Sequence, residues 1–180
     1  MQFSIKTNDA IPDAPIIFPS SFRDDRGAIW TTFNQELSET IGLTFNHDKF
    51  SVSQDNILRG IHGDKYTTKL VTCISGSIRQ VVVDLRKGSS TFGNHFTVDI
   101  DADTPTLVLI PAGCGNAFFT TKPHTVYHYK LSYSGQYKDH DEQFSVFWND
   151  PDLAIDWGIQ KEPLVSDRDR EAMSFAEYLR

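Results

Sequence analysis

Six histidines could serve as ligands or proton carriers: His47, His62, His95, His124, His128 and His140. No two are spaced as His-x-His, and the position two after His62 is Asp64. A divalent metal needs three or four protein donors that converge, so no metal site is expected. Residues of these types can also carry protons. An unperturbed imidazole titrates at about pH 6.5 and can accept a proton at neutral pH. Taken alone, however, His62 reads as a histidine packed at a strand end. A phenol, with a pKa of about 10, stays protonated and can deliver a proton. Alternation along Tyr127, His128, Tyr129 and Lys130 puts the two tyrosines on one side of a strand and the other two residues on the opposite side. Tyr133 and Tyr137 follow closely enough to compete for the same role. Taken alone, Asp169, between Arg168 and Arg170, reads as a helix cap.

Residues so far apart in sequence meet only through the fold. From Pro15 to Trp148 the chain consists of short β-branched and aromatic runs broken by turn signals. These runs include Ile29 to Phe33, Lys69 to Ile74, Ile78 to Leu85, Thr106 to Ile110 and Val126 to Tyr133. Gly76-Ser77 lies between two of them and suits a tight hairpin. The run Ile78 to Leu85 becomes apolar on both faces, as in a strand packed between two layers. Helix signals are confined to Asn34–Ile41 and to a capping-box pattern of Ser174 with Glu177. The expectation is a single all-β domain over residues 1–180, a jelly-roll β-sandwich with short C-terminal helical segments.

Composition bounds the function. With 23% charged and 39% hydrophobic residues the chain is of ordinary globular make-up. No apolar run approaches the roughly 20 residues that span a bilayer, and Met1 to Pro15 lacks a basic region followed by an apolar core. Cys73 and Cys114 are too few for a disulfide framework and suit buried thiols in a cytoplasmic protein. The formal net charge of −7 argues against nucleic acid as a partner. It also means that a phosphorylated ligand needs a local cluster of arginines and lysines.

Several collinear motifs carry a family resemblance. Asn56-Ile57-Leu58-Arg59-Gly60-Ile61-His62, Lys69-Leu70-Val71 and Val83 through Gly93 resemble the nucleotide-linked 4-keto-6-deoxyhexose 3,5-epimerases of the cupin superfamily. Asp24-Asp25-Arg26-Gly27 is similar to an acidic-x-Arg-Gly element of that family, and Ile110-Pro111-Ala112-Gly113 to its Ile-Pro-x-Gly turn. Trp148 to Pro151, Ile155 to Trp157 and Leu164 to Asp169 match its carboxy-terminal third. The resemblance implies a cupin jelly roll and a homodimer with the region around Arg26 near the partner's pocket. It implies an epimerase that uses no cofactor. A ketone at C4 acidifies the hydrogens on C3 and C5, so inversion needs a base on one face, an acid on the other and a group to hold the oxyanion.

By the same resemblance His62 is the base and Asp169 the carboxylate that orients its imidazole and stabilises the imidazolium. Tyr129 is the acid, and Lys69 faces the keto oxygen in the manner of an oxyanion hole. Arg59 and Arg26 match arginines that grip the diphosphate through charge-assisted forks.

Three departures from the pattern bear on the substrate. Asn116 replaces a histidine that lines the sugar site, and Gln80 replaces an aspartate near the catalytic histidine. Thr31, His47 and Lys49 stand where thymidine-nucleotide enzymes offer a carboxylate and two amides. These changes favour guanine and hence a GDP-linked 4-keto-heptose, as in related epimerases of capsular polysaccharide pathways. Rival readings are a metal-dependent cupin, a non-catalytic sugar-nucleotide binding module and a 3,4-ketoisomerase on the same fold.

Overall fold

Alternating apolar side chains along short strands build two antiparallel sheets. The computed structural model describes residues 2–137 and 142–180, so His140 lies outside the described residues. The larger sheet has the order β1 (Phe3–Lys6), β2 (Ile16–Pro19), β10 (Leu107–Ile110), β7 (Thr68–Ser75), β12 (Thr125–Ser132) and β5 (His47–Ser53). The smaller has the order β13 (Phe144–Ser145), β6 (Leu58–Gly63), β11 (Cys114–Thr120), β8 (Ser77–Asp84) and β9 (His95–Asp101). A separate hairpin joins β3 (Phe22–Asp24) to β4 (Gly27–Ile29). The expected all-β sandwich is what the chain forms.

Three apolar layers explain why the central strands are apolar on both faces. Val71, Val108 and Tyr127 of the larger sheet meet Ile78, Val82 and Phe118 of the smaller one in the interior. Phe118 and Tyr127 stack there with ring centroids 4.1 Å apart. The outer face of the smaller sheet, with Leu58, Ile61, Val81 and Val83, is covered by Val146, Leu153 and Trp157 from the carboxy-terminal third. The outer face of the larger sheet buries Leu70, Leu107 and Leu109 under Leu37 of helix α1 (Gln35–Ile41).

The helix signals at both ends are realised. The Asn34 side chain accepts from Leu37 N–H at 2.9 Å, and Gly42 closes α1 in the left-handed region at φ 68°. Ser174 and Glu177 form the reciprocal capping box that starts the later of the two C-terminal turns, α3 (Phe175–Tyr178). The earlier turn, α2 (Asp167–Arg170), is a second C-terminal helical segment, and Ser166 caps it by accepting from Asp169 N–H. Among the described residues no helix is long and apolar enough to cross a membrane.

Two strand expectations need correction. Gly76-Ser77 does not close a hairpin, because β7 and β8 lie in different sheets. Gly76, at φ 80°, turns the chain from one sheet to the other with Thr125 packed where a side chain would go. The expected strand from Ile29 to Phe33 is extended only through Ile29. Beyond it Phe33 packs edge-on against Phe45, with centroids 5.1 Å apart, over the outer face of the larger sheet.

One irregularity positions the chemistry. Asn116 and Phe118, two residues apart on β11, face His62 and Arg59, three residues apart on β6. The extra residue is a β-bulge, which aims both Arg59 and His62 to the same side of the strand. Gly60 makes the bulge sterically feasible. Its φ is 127°, and a Cβ there would collide with Ala117 and stand 2.7 Å from the Asn116 carbonyl oxygen.

Candidate active site

The bulge brings His62 to a cleft of about 470 Å³ lined by strands of both sheets and by the segment around α2. Asp169 reaches it from α2 and is 2% exposed. Its carboxylate forms a very short contact with His62 Nε2. Burial pushes the Asp169 carboxyl up. Hydrogen bonds from His62, Ser166 and the Gly60 N–H, with the attraction of the His62 charge, more than offset this and hold it below the usual carboxylate range. An ionised carboxylate can only accept, so Nε2 carries the proton. In the neutral ring Nδ1 is then the nitrogen with a lone pair, and it has no hydrogen-bond partner among the described residues. Asp169 is not the helix cap that the sequence alone suggests, since Ser166 is the N-cap of α2 and Asp169 lies within the turn. Its backbone N–H is capped by Ser166, and its side chain is directed to the imidazole.

Lys69, on β7, is buried at 5% exposure and donates to the His62 carbonyl oxygen at 3.4 Å. Burial pushes its ammonium down to about 8, against the opposing attraction of Asp64. A cation this dry is held at a cost, and it is worth most to a negative charge arriving beside it. Tyr129 stands on β12 of the larger sheet, with its ring edge-on to Tyr127 at 4.5 Å. His62 and Tyr129 therefore line the cleft from different sheets, base on one and phenol on the other.

Lys49, Arg59 and Arg168 also line the cleft. Arg59 Nε donates to Ser53 Oγ at 3.2 Å and Arg168 Nε to Ser145 Oγ at 2.8 Å. With Lys69 they concentrate positive charge in one place on a chain of net charge −7, which is the local field a diphosphate needs. Ser51 Oγ on the same lining is buried without a hydrogen-bond partner among the described residues.

Seven of the ten residues singled out by sequence converge here: His62, Tyr129, Asp169, Lys69, Arg59, Lys49 and Asn116. Three do not line the cleft of their own chain. Arg26 sits on the tip of the β3–β4 hairpin, largely exposed and paired with Asp24 at 2.6 Å. Thr31 Oγ1 donates to the Phe33 carbonyl at 3.1 Å, which fixes the turn before α1. His47 packs edge-on to Tyr137 at 4.9 Å, with Nδ1 3.3 Å from the Tyr133 hydroxyl. Tyr137 itself lines the cleft, so His47 supports the wall from behind.

Arg168 and Ser166 were missed as site residues, whereas Tyr137, a competitor of Tyr129 for the acid role by sequence, lines the cleft beside it. Ser166-x-x-Asp169 is a capping pattern that could have disclosed α2 and with it the direction of Arg168. Alternation placed His128 correctly. It is turned from the cleft, stacked on Phe50 at 4.6 Å and paired with Asp48 at 2.7 Å. Among the described residues no three His, Cys, Asp or Glu side chains are grouped to hold a metal.

Comparison with known proteins adds a lineage to this geometry. The family model for dTDP-4-dehydrorhamnose 3,5-epimerase matches residues 8–177. A Salmonella typhimurium protein named dTDP-4-dehydrorhamnose 3,5-epimerase is 36% identical over 178 residues, covering 96% of this chain and 94% of that protein. The crystal structure of dTDP-6-deoxy-D-glucose-3,5-epimerase from Legionella pneumophila in complex with dTDP-4-keto-L-rhamnose superimposes with a TM-score of 0.89. It is 30% identical and covers 98% of this chain and 97% of that one. A 3'-monoepimerase from Streptomyces bikiniensis in complex with dTDP-quinovose gives a TM-score of 0.87 at 33% identity, covering 95% and 87%.

The burial of Lys69 predicts a trade of stability against function. Its folded-state pKa lies below that of the unfolded chain, so the cost of keeping it charged is fully present below pH 8. That cost disappears as pH rises from about 8 through the usual lysine range. Lys69→Met is expected to stabilise the fold by up to about 3 kcal/mol at pH 7, with the gain shrinking towards pH 10.5, while turnover is lost. Urea unfolding at the two pH values measures this, and a stability difference independent of pH would contradict it.

Proposed function

This chain belongs to the dTDP-4-dehydrorhamnose 3,5-epimerase family, and we propose that it inverts the carbons flanking the ketone of a dTDP-linked 4-keto sugar. The observation that carries the reading is the placement of His62, backed by Asp169, and Tyr129 on different sheets of one cleft, with Lys69 buried beside the base. His62 Nδ1 takes the proton from the carbon next to the carbonyl, and the electron pair moves into an enolate. The Lys69 ammonium stabilises the oxygen as its charge develops. Tyr129 then protonates the carbon from the other face, which inverts the centre. Proton exchange with water returns imidazolium and phenolate to their starting forms. C3 comes first in this proposal, since both the 3,5-epimerases and the 3'-monoepimerase among the similar proteins act there by name.

The expected preference for guanine, and with it the heptose, has no support among these relatives. Their names carry dTDP, and of Thr31, His47 and Lys49 only Lys49 lines the cleft. The diphosphate is assigned to Arg59, Lys49 and Arg168. A second copy of the chain is proposed to supply Arg26, whose hairpin exposes Phe22 and Ile29 to more than half of their surface. Sedimentation at micromolar concentration should give a dimer, and a stable monomer would remove that part of the proposal.

Incubation with dTDP- and GDP-linked 4-keto sugars in D₂O, followed by NMR, tests the activity. Deuterium is expected at C3 and C5 of the dTDP sugar, and binding without exchange would indicate a non-catalytic module. A carbonyl moved to C3 would indicate a ketoisomerase, and preferred exchange of the GDP sugar would restore the guanine reading. His62→Asn should fold normally and lose at least the 10²–10⁴-fold that acid–base catalysis contributes. Tyr129→Phe should lose inversion more than exchange. Near-native activity in the first variant, or equal loss of both in the second, would contradict the assignments.

A further inference from the structure

The orientation of Asn116 in the cleft is fixed by a buried amide behind it. Gln80, on β8, is 0% exposed. Its Nε2 stands 2.9 Å from the Val81 carbonyl oxygen and 3.0 Å from that of Ala117. An amide oxygen could not approach two carbonyl oxygens, so the nitrogen must occupy this place. Oε1 consequently points the other way and accepts from the buried Tyr127 hydroxyl at 2.6 Å. The two N–H groups of Nε2 are shared among these carbonyls and Asn116, 2.7 Å away, where Oδ1 must face them because two amide nitrogens would oppose their hydrogens.

Asn116 is thereby locked with its oxygen inward and its Nδ2 group turned to the cleft. Among the described residues that nitrogen has no hydrogen-bond partner. Asn116 lies directly opposite His62 across the β6–β11 pair. Lys69 Nζ approaches His62 from the other sheet. Two donors, one charged and one neutral, thus flank the base.

We infer that Gln80 is a positioning residue, holding Asn116 as a neutral second donor, beside Lys69, to the substrate's keto oxygen as it becomes an enolate. This inference rests on the proposed function, since an enolate is what such a pair would stabilise. The amide binds the oxygen without giving up a proton. Its contribution grows as charge develops, so it belongs to turnover more than to binding. A neutral amide chain of Tyr127, Gln80 and Asn116 also avoids placing a buried carboxylate behind the site, where desolvation would be costly.

Steady-state kinetics on a mutant cycle test this. Asn116→Ala should lower kcat by about 10²-fold, the range for one oxyanion donor, with KM changed less than threefold. Gln80→Met should lower kcat on the order of tenfold alone and by less than twofold in the Asn116→Ala background, because its effect is routed through that amide. Tyr127→Phe removes one hydroxyl from an otherwise intact core and should show the same dependence, which guards against misfolding in the Gln80 variant. Losses that multiply in both backgrounds, or an Asn116→Ala variant altered only in KM, would overturn the inference. If the unmodified protein turns over, these outcomes judge Gln80 alone. Absence of exchange in the unmodified protein would overturn the proposed function and this inference with it.

Discussion

A carboxylate taken out of water must be compensated at once, and Asp169 is compensated by His62. Isolated, a buried carboxylate would neutralise or destabilise the fold. Here it accepts from the imidazole, from Ser166 and from the Gly60 N–H, and the contacts with His62 and Gly60 tie the bulge on β6 to the segment around α2. The bulge on β6 exists in a form that offers both the Gly60 N–H and the imidazole. The four-residue turn α2 is held by its Ser166 cap in the place where Asp169 can reach them. The proton-transfer geometry is therefore also a packing contact between β6 and α2.

Charge is arranged by the same logic of burial. The chain as a whole is acidic, yet Lys49, Arg59, Lys69 and Arg168 share one cleft with Asp169 as the partner of the base. Three of these cations keep contact with water or with hydroxyl groups and suit a diphosphate. Lys69 is the dry one, and its lowered pKa records the cost of that position. Such a group is poorly paired until negative charge appears next to it, which is how an electrostatic catalyst differs from an ordinary ion pair.

The strand runs were legible because the central strands are buried on both faces and stay apolar for most of their length. The two helix ends were legible because Asn34 and the Ser174–Glu177 pair satisfy backbone groups locally. Gly76 shows where local signals stop: a glycine turn announces a change of direction, not the sheet that receives the next strand. Four residues of α2 are too few for a periodic pattern, so Arg168 was missed. Of the seven cleft residues, Arg59, His62, Lys69 and Asp169 lie in collinear motifs, Tyr129 was matched by the resemblance, and Lys49 and Asn116 stood out as departures from it; the pairing of Asp169 with His62, 107 positions apart, is a property of the fold alone. Register hides more still. Gln80, Asn116 and Tyr127 lie on β8, β11 and β12, and nothing in their spacing discloses that they share hydrogen bonds. Arg26 and Thr31 fall outside the cleft because the stretch before β5 runs through an exposed hairpin and over the outer face of the larger sheet, and His47, at the start of β5, packs against Tyr137 instead.

Asp169 holds the neutral imidazole of His62 with its proton on Nε2, leaving Nδ1 to act as the base. Nitrogen-15 NMR of the histidine ring, assigned through His62 variants, observes this directly. A protonated Nε2 and a lone-pair-type Nδ1 are expected in the neutral ring, with that preference lost in Asp169→Asn. A proton found on Nδ1, or a tautomer indifferent to the Asp169 substitution, would contradict it.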